Sequence, residues 1–313
     1  MWPFPVFGAA ALALLVERLV GYPKILHAAI GHPVEWMGWY LERLEALLNA
    51  PGATRLRGIA ALALLLVTVF VPAWAIARAL PHWSLEALLA TVFIAQRSLR
   101  EHVEAVYSGL VRSLEDGRQA VSQIVGRDPA VLDESGVSRA ALESLAENAS
   151  DGIVAPVVWY ALLGLPGIAL YKAINTADSM IGHKTERYLN FGWAAARLDD
   201  LVNLPASRLT GFLFAFASAW ISKERCKSAL ETMWRDAAKH QSPNAGWPEA
   251  ALAGGLGLKL GGPRFYDGAV ADLAWMGDGR HQLTRDDIVA GLKLYRRAMT
   301  LLFLLVLVLA VIF

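Results

Sequence analysis

The sequence predicts an all-α fold: a polytopic helical membrane protein with amphipathic and re-entrant helices, forming a single integral-membrane domain over 1–313. Three observations predict it. Of the 313 residues, 56% are hydrophobic and 18% charged, against about 45–50% apolar and roughly 25% charged in soluble domains. Apolar runs occupy 3–20, 58–78 and 298–313, close to the about 20 residues that cross a hydrocarbon core of ~30 Å. The basic residues fall largely between those runs, as in chains oriented by their cytoplasmic Lys and Arg.

Each element follows in order. The first run, "MWPFPVFGAAALALLVERLVG", has no Lys or Arg ahead of it. It lacks the charged start of a secretory signal, so it is expected to stay as a membrane segment. Residues 58–78 form the strongest span, and 84–96, just past "ALPHW", are expected to return as a shorter helix. Residues 97–150 read as amphipathic helices: Leu99, Val103, Val106, Leu110 and Leu114 recur at helical spacing, with Gly117 as a stop. Residues 153–170 are interrupted by Pro156 and "GLPG". Their unbroken piece, about 11 residues or ~16 Å long, fits a re-entrant hairpin. Residues 209–221 are also short, and both segments are expected to be embedded or spanning. The run at 298–313 closes the chain.

The basic residues of the first loop, Lys24, Arg43, Arg55 and Arg57, place it in the cytoplasm. The many Lys and Arg between 97 and 239 fall on that same side if 153–170 and 209–221 do not cross. A polar active-site region over about 140–268 would then face the cytoplasm. The net charge of +1 gives no reason to expect nucleic acid as a partner, and the lone Cys226 excludes an internal disulfide.

Three stretches carry candidate chemistry. In "LESLAENASDG", Glu143, Glu147 and Asp151 are spaced i, i+4, i+8, one face of a regular helix. Like charges so spaced repel, and a bound hard cation would reverse that cost; a solvated acidic face has the same spacing. In "INTADSMIGHKTERY", Asn175 and Asp178 precede the cations Lys184 and Arg187. Oxygens for a metal and cations for phosphate are what Mg²⁺–phosphate chemistry needs, although an interfacial loop with surface ion pairs reads alike. In "ARLDDLVNLPASR", Asp199 shares a face with Asn203, as do Arg197, Asp200 and Asn203, and Pro205 is expected to end the helix. The glycines of "SPNAGWPEAALAGGLGLKLGG" suit either an anion or close helix packing. No Walker-type GxxxxGK[ST] and no HExxH spacing is present.

The motifs "HPVEWMGWYLERLE", "ENASDGIVAP", "LPGIALYKAINTADSMIGHKTERY", "FGWAAARLDDLVN" and "SPNAGWPEAALAGGLGLKLGG", in this order, resemble those of the adenosylcobinamide-phosphate synthase family, the CobD/CbiB-type membrane proteins of cobalamin biosynthesis. The likeness runs from about residue 17 to 268. One departure stands near the start: where the family often reads D-x-x-x-G-D-P, this chain has "ERLVGYP", with Glu17 and Tyr22.

The resemblance implies an enzyme of the bacterial inner membrane, an ATP-dependent ligase. It would join adenosylcobyric acid, the corrinoid partner, to (R)-1-amino-2-propanol or its O-phosphate, with ATP and Mg²⁺ as cofactors and lipid as surroundings. On that basis Asp151, Asp178, Asp199 and Asp200 are expected as metal ligands and Glu147 as ligand or general base. Lys184, Arg187 and Arg197 are expected to clamp phosphate. Asn148, Asn175, Asn203, Asn244, Ser179 and Tyr188 are expected to bind substrate or phosphate. Two rival classes are a transporter or channel, because polar residues beside broken apolar helices also mark transport pathways, and a non-catalytic membrane sensor resembling the AmpE-type relatives. A transporter of this size would show more spans with less polar chain between them, and a sensor gives the charged clusters no purpose. Neither the amine's phosphorylation nor the oligomeric state follows from the sequence.

Overall fold

The computed structural model describes residues 4–50, 52, 54–126, 129–266, 269–271 and 273–313. Its helices are α1 (Phe4–Val20), α2 (Lys24–Ile30), α3 (Pro33–Leu48), α4 (Arg55–Ala79), α5 (Trp83–Ala90), α6 (Gln96–Arg112), α7 (Leu114–Val121), α8 (Glu134–Ala149), α9 (Ala155–Ile181), α10 (Trp193–Ala217), α11 (Lys223–Asp236), α12 (Gly246–Leu256) and α13 (Arg285–Ile312). A π-helical stretch, Ser150–Val154, joins α8 to α9. The all-α expectation holds apart from four short strands among the described residues: β1 (Leu260–Gly261) pairs antiparallel with β4 (Trp275–Met276), and β2 (Arg264–Tyr266) with β3 (Ala269–Ala271).

Among the described residues, Arg55–Ala79, Glu134–Ile181 and Arg285–Ile312 are long and apolar enough to cross a membrane. A fourth crossing results if α1 counts together with Lys24–Leu48, at a bend of 98°. Leu64, Val67, Phe70 and Val71 of α4 point outward, as do Leu304, Leu307, Val308 and Val311 of α13. Exposed apolar faces of that extent are stable against lipid, not water. The expected return helix over 84–96 is corrected: α5 and a 3₁₀ turn at Thr91–Phe93 replace it. The eight residues of α5 rise only ~12 Å, too little to cross.

The chain forms two compact units. The first comprises Met1–Ala95, Ala155–Asn203 and Leu305–Phe313; the second comprises Gln96–Val154 and Leu204–Leu304. In the first, α9 packs on α1, α3, α4 and α5, and the small residues Ala9, Ala10 and Ala13 let α1 lie close. In the second, α12 packs on α11 and α8, and α6 on α7 and α8. Several breaks expected from local signals fall elsewhere. Pro156 is the second residue of α9, in its first turn, so it does not break the helix. Pro205 lies inside α10, which continues to Ala217. Its missing N–H removes a single helical bond, and the buried Ala206, Thr210 and Phe214 hold the next two turns in place. Gly117 stops no helix. The break comes at Ser113, whose Oγ accepts the Asp116 N–H and caps α7. Leu114 therefore leaves the stripe of α6 and is exposed.

A buried ion network fastens the end of α11. Asp236, 1% exposed, accepts from Arg235 (2.6 Å and 2.8 Å), from Lys239 (2.7 Å) and from the Gly277 N–H (2.8 Å). Burial pushes its carboxyl up, but these partners outweigh burial and hold it well below the usual carboxylate range. Such a group stabilises the fold above its unfolded pKa, and that contribution vanishes as pH falls through the folded one. Asp236→Asn is therefore expected to cost about 3 kcal/mol at pH 7 and progressively less below pH 4. Thermal unfolding across pH in detergent checks this, and a pH-independent loss would contradict it.

Candidate functional site

Within the first unit, the last turns of α9 and the first turns of α10 assemble a polar chain. Tyr171 donates its hydroxyl to Asn203 Oδ1 (2.9 Å), Asn203 Nδ2 donates to Asp199 Oδ2 (2.9 Å), and Asn175 Nδ2 donates to Asp199 Oδ1 (3.4 Å). Lys172 Nζ donates to Asn175 Oδ1 at 3.2 Å. The expected i, i+4 pairing of Asp199 with Asn203 is thus present, and the two helices meet through Asn175. Asn203 and Asp199 are buried, whereas Asp178 and Asp200 are half-buried.

Burial, then the charge of Asp178, pushes the Asp199 carboxyl up to about 7, against the pull of the two asparagine amides. The sign of the consequence is fixed. A carboxyl raised from 3.8 to about 7 gives stability that is complete below the lower value and lost as pH rises through the upper. Asp199→Asn is therefore expected to leave Tm nearly unchanged at pH 4 and to raise it by about 4 °C at pH 8. Unfolding at both pH values measures this, and a lowered Tm at pH 8 would contradict it.

Two of the cations, Lys184 and Arg187, lie in the loop that follows, and Arg197 lies in the first turns of α10. Gly192 closes this loop against α9, since a Cβ there would sit 1.5 Å from the Ile181 carbonyl. Lys184 is exposed. Arg187 makes a two-bond pair with Glu45, Nε to Oε1 and Nη2 to Oε2, each 2.9 Å, and its guanidinium lies 5.4 Å from the Tyr188 ring. Glu45 holds it above the usual guanidinium range. This pair ties the loop to α3 and leaves the Nη1 edge of Arg187 for another partner. Arg197 pairs with Asp200 at 3.3 Å. Ser179 spends its hydroxyl on the Asn175 carbonyl, 2.9 Å away. Tyr22, at the departure from the family pattern, donates to the Gly31 carbonyl at 2.7 Å, a structural bond.

The other expected residues lie in the second unit. Glu147 and Asn148 are exposed near the end of α8, and Asp151 is half-buried in the π-helical stretch. Asn148 Nδ2 donates to the Ser144 carbonyl (2.9 Å) and Oγ (3.1 Å). Glu143 differs from both acids: it is buried and accepts the Gly261 N–H at 2.7 Å. Beside Asp151, Ser150 Oγ is buried without a hydrogen-bond partner among the described residues. Asn244 is buried, and its Oδ1 accepts from Arg208 Nη1 (2.9 Å) and Ser207 Oγ (3.1 Å). Arg208 lies 4.7 Å from the Trp247 ring, and burial lowers its pKa. The glycines of this region serve packing: a Cβ on Gly254 would lie 2.6 Å from the Ser228 carbonyl on α11.

Sequence reasoning missed Tyr171, Lys172, Glu45 and Arg208. Lys172 stands three residues before Asn175, a signal within the motif itself. Glu45 is 142 residues from its partner, beyond any local spacing. Among the described residues, no group of three or more His, Cys, Asp or Glu is arranged to hold a metal ion.

Fold and site define the chain as a polytopic helical membrane protein carrying buried acids and amides, with exposed cations, in its polar segments. A family model described as CobD/Cbib protein matches residues 10–295, and the chain belongs to that family. It is 51% identical to the cobalamin biosynthesis protein CobD of Rhodobacter capsulatus, over 92% of each chain. It is 48% identical to that of Sinorhizobium fredii, over 95% of this chain and 94% of the relative, and 46% identical to that of Brucella suis biovar 1, over 93% of each. No solved structure matches.

Proposed function

We propose that this protein acts in cobalamin biosynthesis as an ATP-dependent amide ligase of the bacterial inner membrane, with its site on the cytoplasmic side. It would join the side-chain carboxylate of adenosylcobyric acid to (R)-1-amino-2-propanol or its O-phosphate. The observation that carries the reading is the buried Asp199, held by Asn203 and Asn175 while burial, and then the charge of Asp178, pushes its carboxyl up to about 7. Two acids that repel across a network of amides and a lysine are suited to a charged ligand.

The donor set fits Mg²⁺. All the acids offer oxygen, and Mg²⁺ takes one or two carboxylates and completes its shell with phosphate and water. Asp178 and Asp199, both in the first unit, would hold it. When bound, Mg²⁺ neutralises charge on phosphate oxygens. A carboxylate is a poor electrophile. Attack of its oxygen on the γ-phosphorus of ATP gives an acyl phosphate and ADP. The amine nitrogen then attacks the acyl carbon, phosphate leaves, and Glu147 takes the proton that the amine loses. Lys184, Arg197 and the open edge of Arg187 would contact phosphate. Asn148, Asn244 and Tyr188 would orient substrate.

Purified protein should release ADP only when corrinoid acid and amine are both present. ADP release without either, or none with every aminopropanol-type amine supplied, would defeat the proposal and return attention to transport or sensing.

A further inference from the structure

α9 carries a break that the proposed chemistry does not use. At Gly164 the backbone turns to φ 66° and ψ −155°, outside the helical region, and Pro166 follows. Breaking a helix at membrane depth frees backbone groups that lipid cannot satisfy. One of them is recovered, since the Leu165 N–H donates to Glu86 Oε1 at 2.7 Å. A Cβ on Gly164 would sit 3.0 Å from that oxygen, so glycine supplies both the backbone angle and the room. Beside the break is a cavity of about 320 Å³, with Arg78, His82, Glu86 and Tyr160 in its lining next to Trp74 and Trp83. That volume lies within the range of small-molecule sites.

Two features point to a ligand. Tyr160 is 1% exposed, yet its hydroxyl has no hydrogen-bond partner among the described residues. A buried hydroxyl is normally paired. Arg78 is exposed with its guanidinium 5.6 Å from the Trp74 ring, and it forms no ion pair among the described residues. His82 is committed through Nδ1 to capping α5.

Location narrows the ligand. Arg78 and Trp74 lie in the last turns of α4, one of the helices able to cross a membrane. At its other end Arg55 lies over Trp193, beside the loop of the acid cluster. The cavity is therefore about 35 Å along α4 from that cluster. Exposed Trp74 and Trp83 form an aromatic collar of the kind found at membrane interfaces, and Leu85, Leu88, Leu162 and Leu163 turn outward around it. The lining presents one cation and one carboxylate. A purely anionic head group would meet Glu86 unfavourably, and a quaternary ammonium has no N–H to offer it.

We propose that this cavity binds the head group of a phosphoethanolamine lipid. The phosphate oxygens accept from the Tyr160 hydroxyl and Arg78, the primary ammonium donates to Glu86, and the acyl chains run over the outward leucines.

The test uses the full chain in detergent micelles, followed by thermal unfolding. Added phosphatidylethanolamine should raise Tm by about 3 °C or more, and phosphatidylcholine should not. Tyr160→Phe and Arg78→Gln should each remove that shift. Without lipid, Tyr160→Phe should unfold at or above the wild-type temperature, because it deletes an unpaired hydroxyl. Free O-phosphoethanolamine raising Tm where the lipid does not would replace the lipid with a soluble phosphoamine and overturn the proposal. So would equal shifts from both lipids, equal shifts in wild type and variants, or no shift in the wild type.

Discussion

Asp178→Asn is expected to lower corrinoid-dependent ADP release by about 100-fold or more while the protein remains folded. The two readings of Asp178 separate cleanly. If its carboxylate were only a structural neighbour of Asp199, removing it would relieve a repulsion. The Asp199 carboxyl, now raised to about 7 by burial and by Asp178, would move toward the usual carboxylate range, and the variant would be at least as stable and as active as the wild type. If Asp178 serves a metal-bound phosphate, the same relief of strain comes with loss of the reaction. Stability should therefore rise or hold above pH 7 while turnover collapses. Wild-type turnover should also vanish in metal-free, EDTA-treated buffer and return with Mg²⁺ or Mn²⁺, because an all-oxygen donor set favours such cations. Full activity of Asp178→Asn, or full wild-type activity without metal, would remove this residue from the site.

Much of the fold was legible because apolar runs of span length have few alternatives. α4 and α13 arise from "GIAALALLLVTVFVPAWAIAR" and "AMTLLFLLVLVLAVIF", which bury one face, with Leu62, Leu65, Leu302 and Val306, and turn the other outward. Breaks were less legible, because proline and glycine act through context. Pro205 is carried inside α10 by packing on both sides, and Gly117 exists to clear Leu110, whose Cδ2 would lie 2.4 Å from a Cβ there. Gly164 was readable as a break from "GLPG", but not its consequence, a cavity closed partly by Glu86, which holds the Leu165 N–H from 79 residues away. The short strands of 260–276 carried no alternating apolar pattern to announce them.

The site divides in the same way. Spacing on one helix led correctly to Asp199 with Asn203, since i, i+4 residues of a regular helix must be neighbours. Spacing said nothing of Tyr171 reaching Asn203 from α9, or of Glu45 holding Arg187 from α3. Those pairs exist only after helices pack, and they decide which charged residues are structural ties and which can serve a ligand.

The acidic stretch at the end of α8 gives the sharpest test of that distinction. By spacing alone Glu143, Glu147 and Asp151 are equivalent, yet their surroundings are not. Glu143 is buried and accepts the Gly261 N–H across 118 residues, a bond that a glutamine carbonyl oxygen can also accept. Glu143→Gln is therefore expected to keep near-normal activity, whereas Glu143→Ala, which leaves that N–H unpaired, should lower stability by about 1–3 kcal/mol. Glu147 is exposed, and Asp151 sits where the helix widens to a π turn beside the Ser150 hydroxyl, which has no partner among the described residues; π turns inside α-helices recur at functional sites. Glu147→Gln and Asp151→Asn are expected to lose nearly all ADP release with Tm unchanged, and the Mg²⁺ concentration giving half-maximal rate should rise in either variant that retains measurable turnover. A merely solvated acidic face behaves differently: removing any one charge would relieve repulsion worth about 0.2–0.5 kcal/mol and leave the rate alone. Near-normal rates in all three conservative variants would mean that this stretch holds no ligand and that the carboxylates of α9 and α10 must serve the phosphate without it.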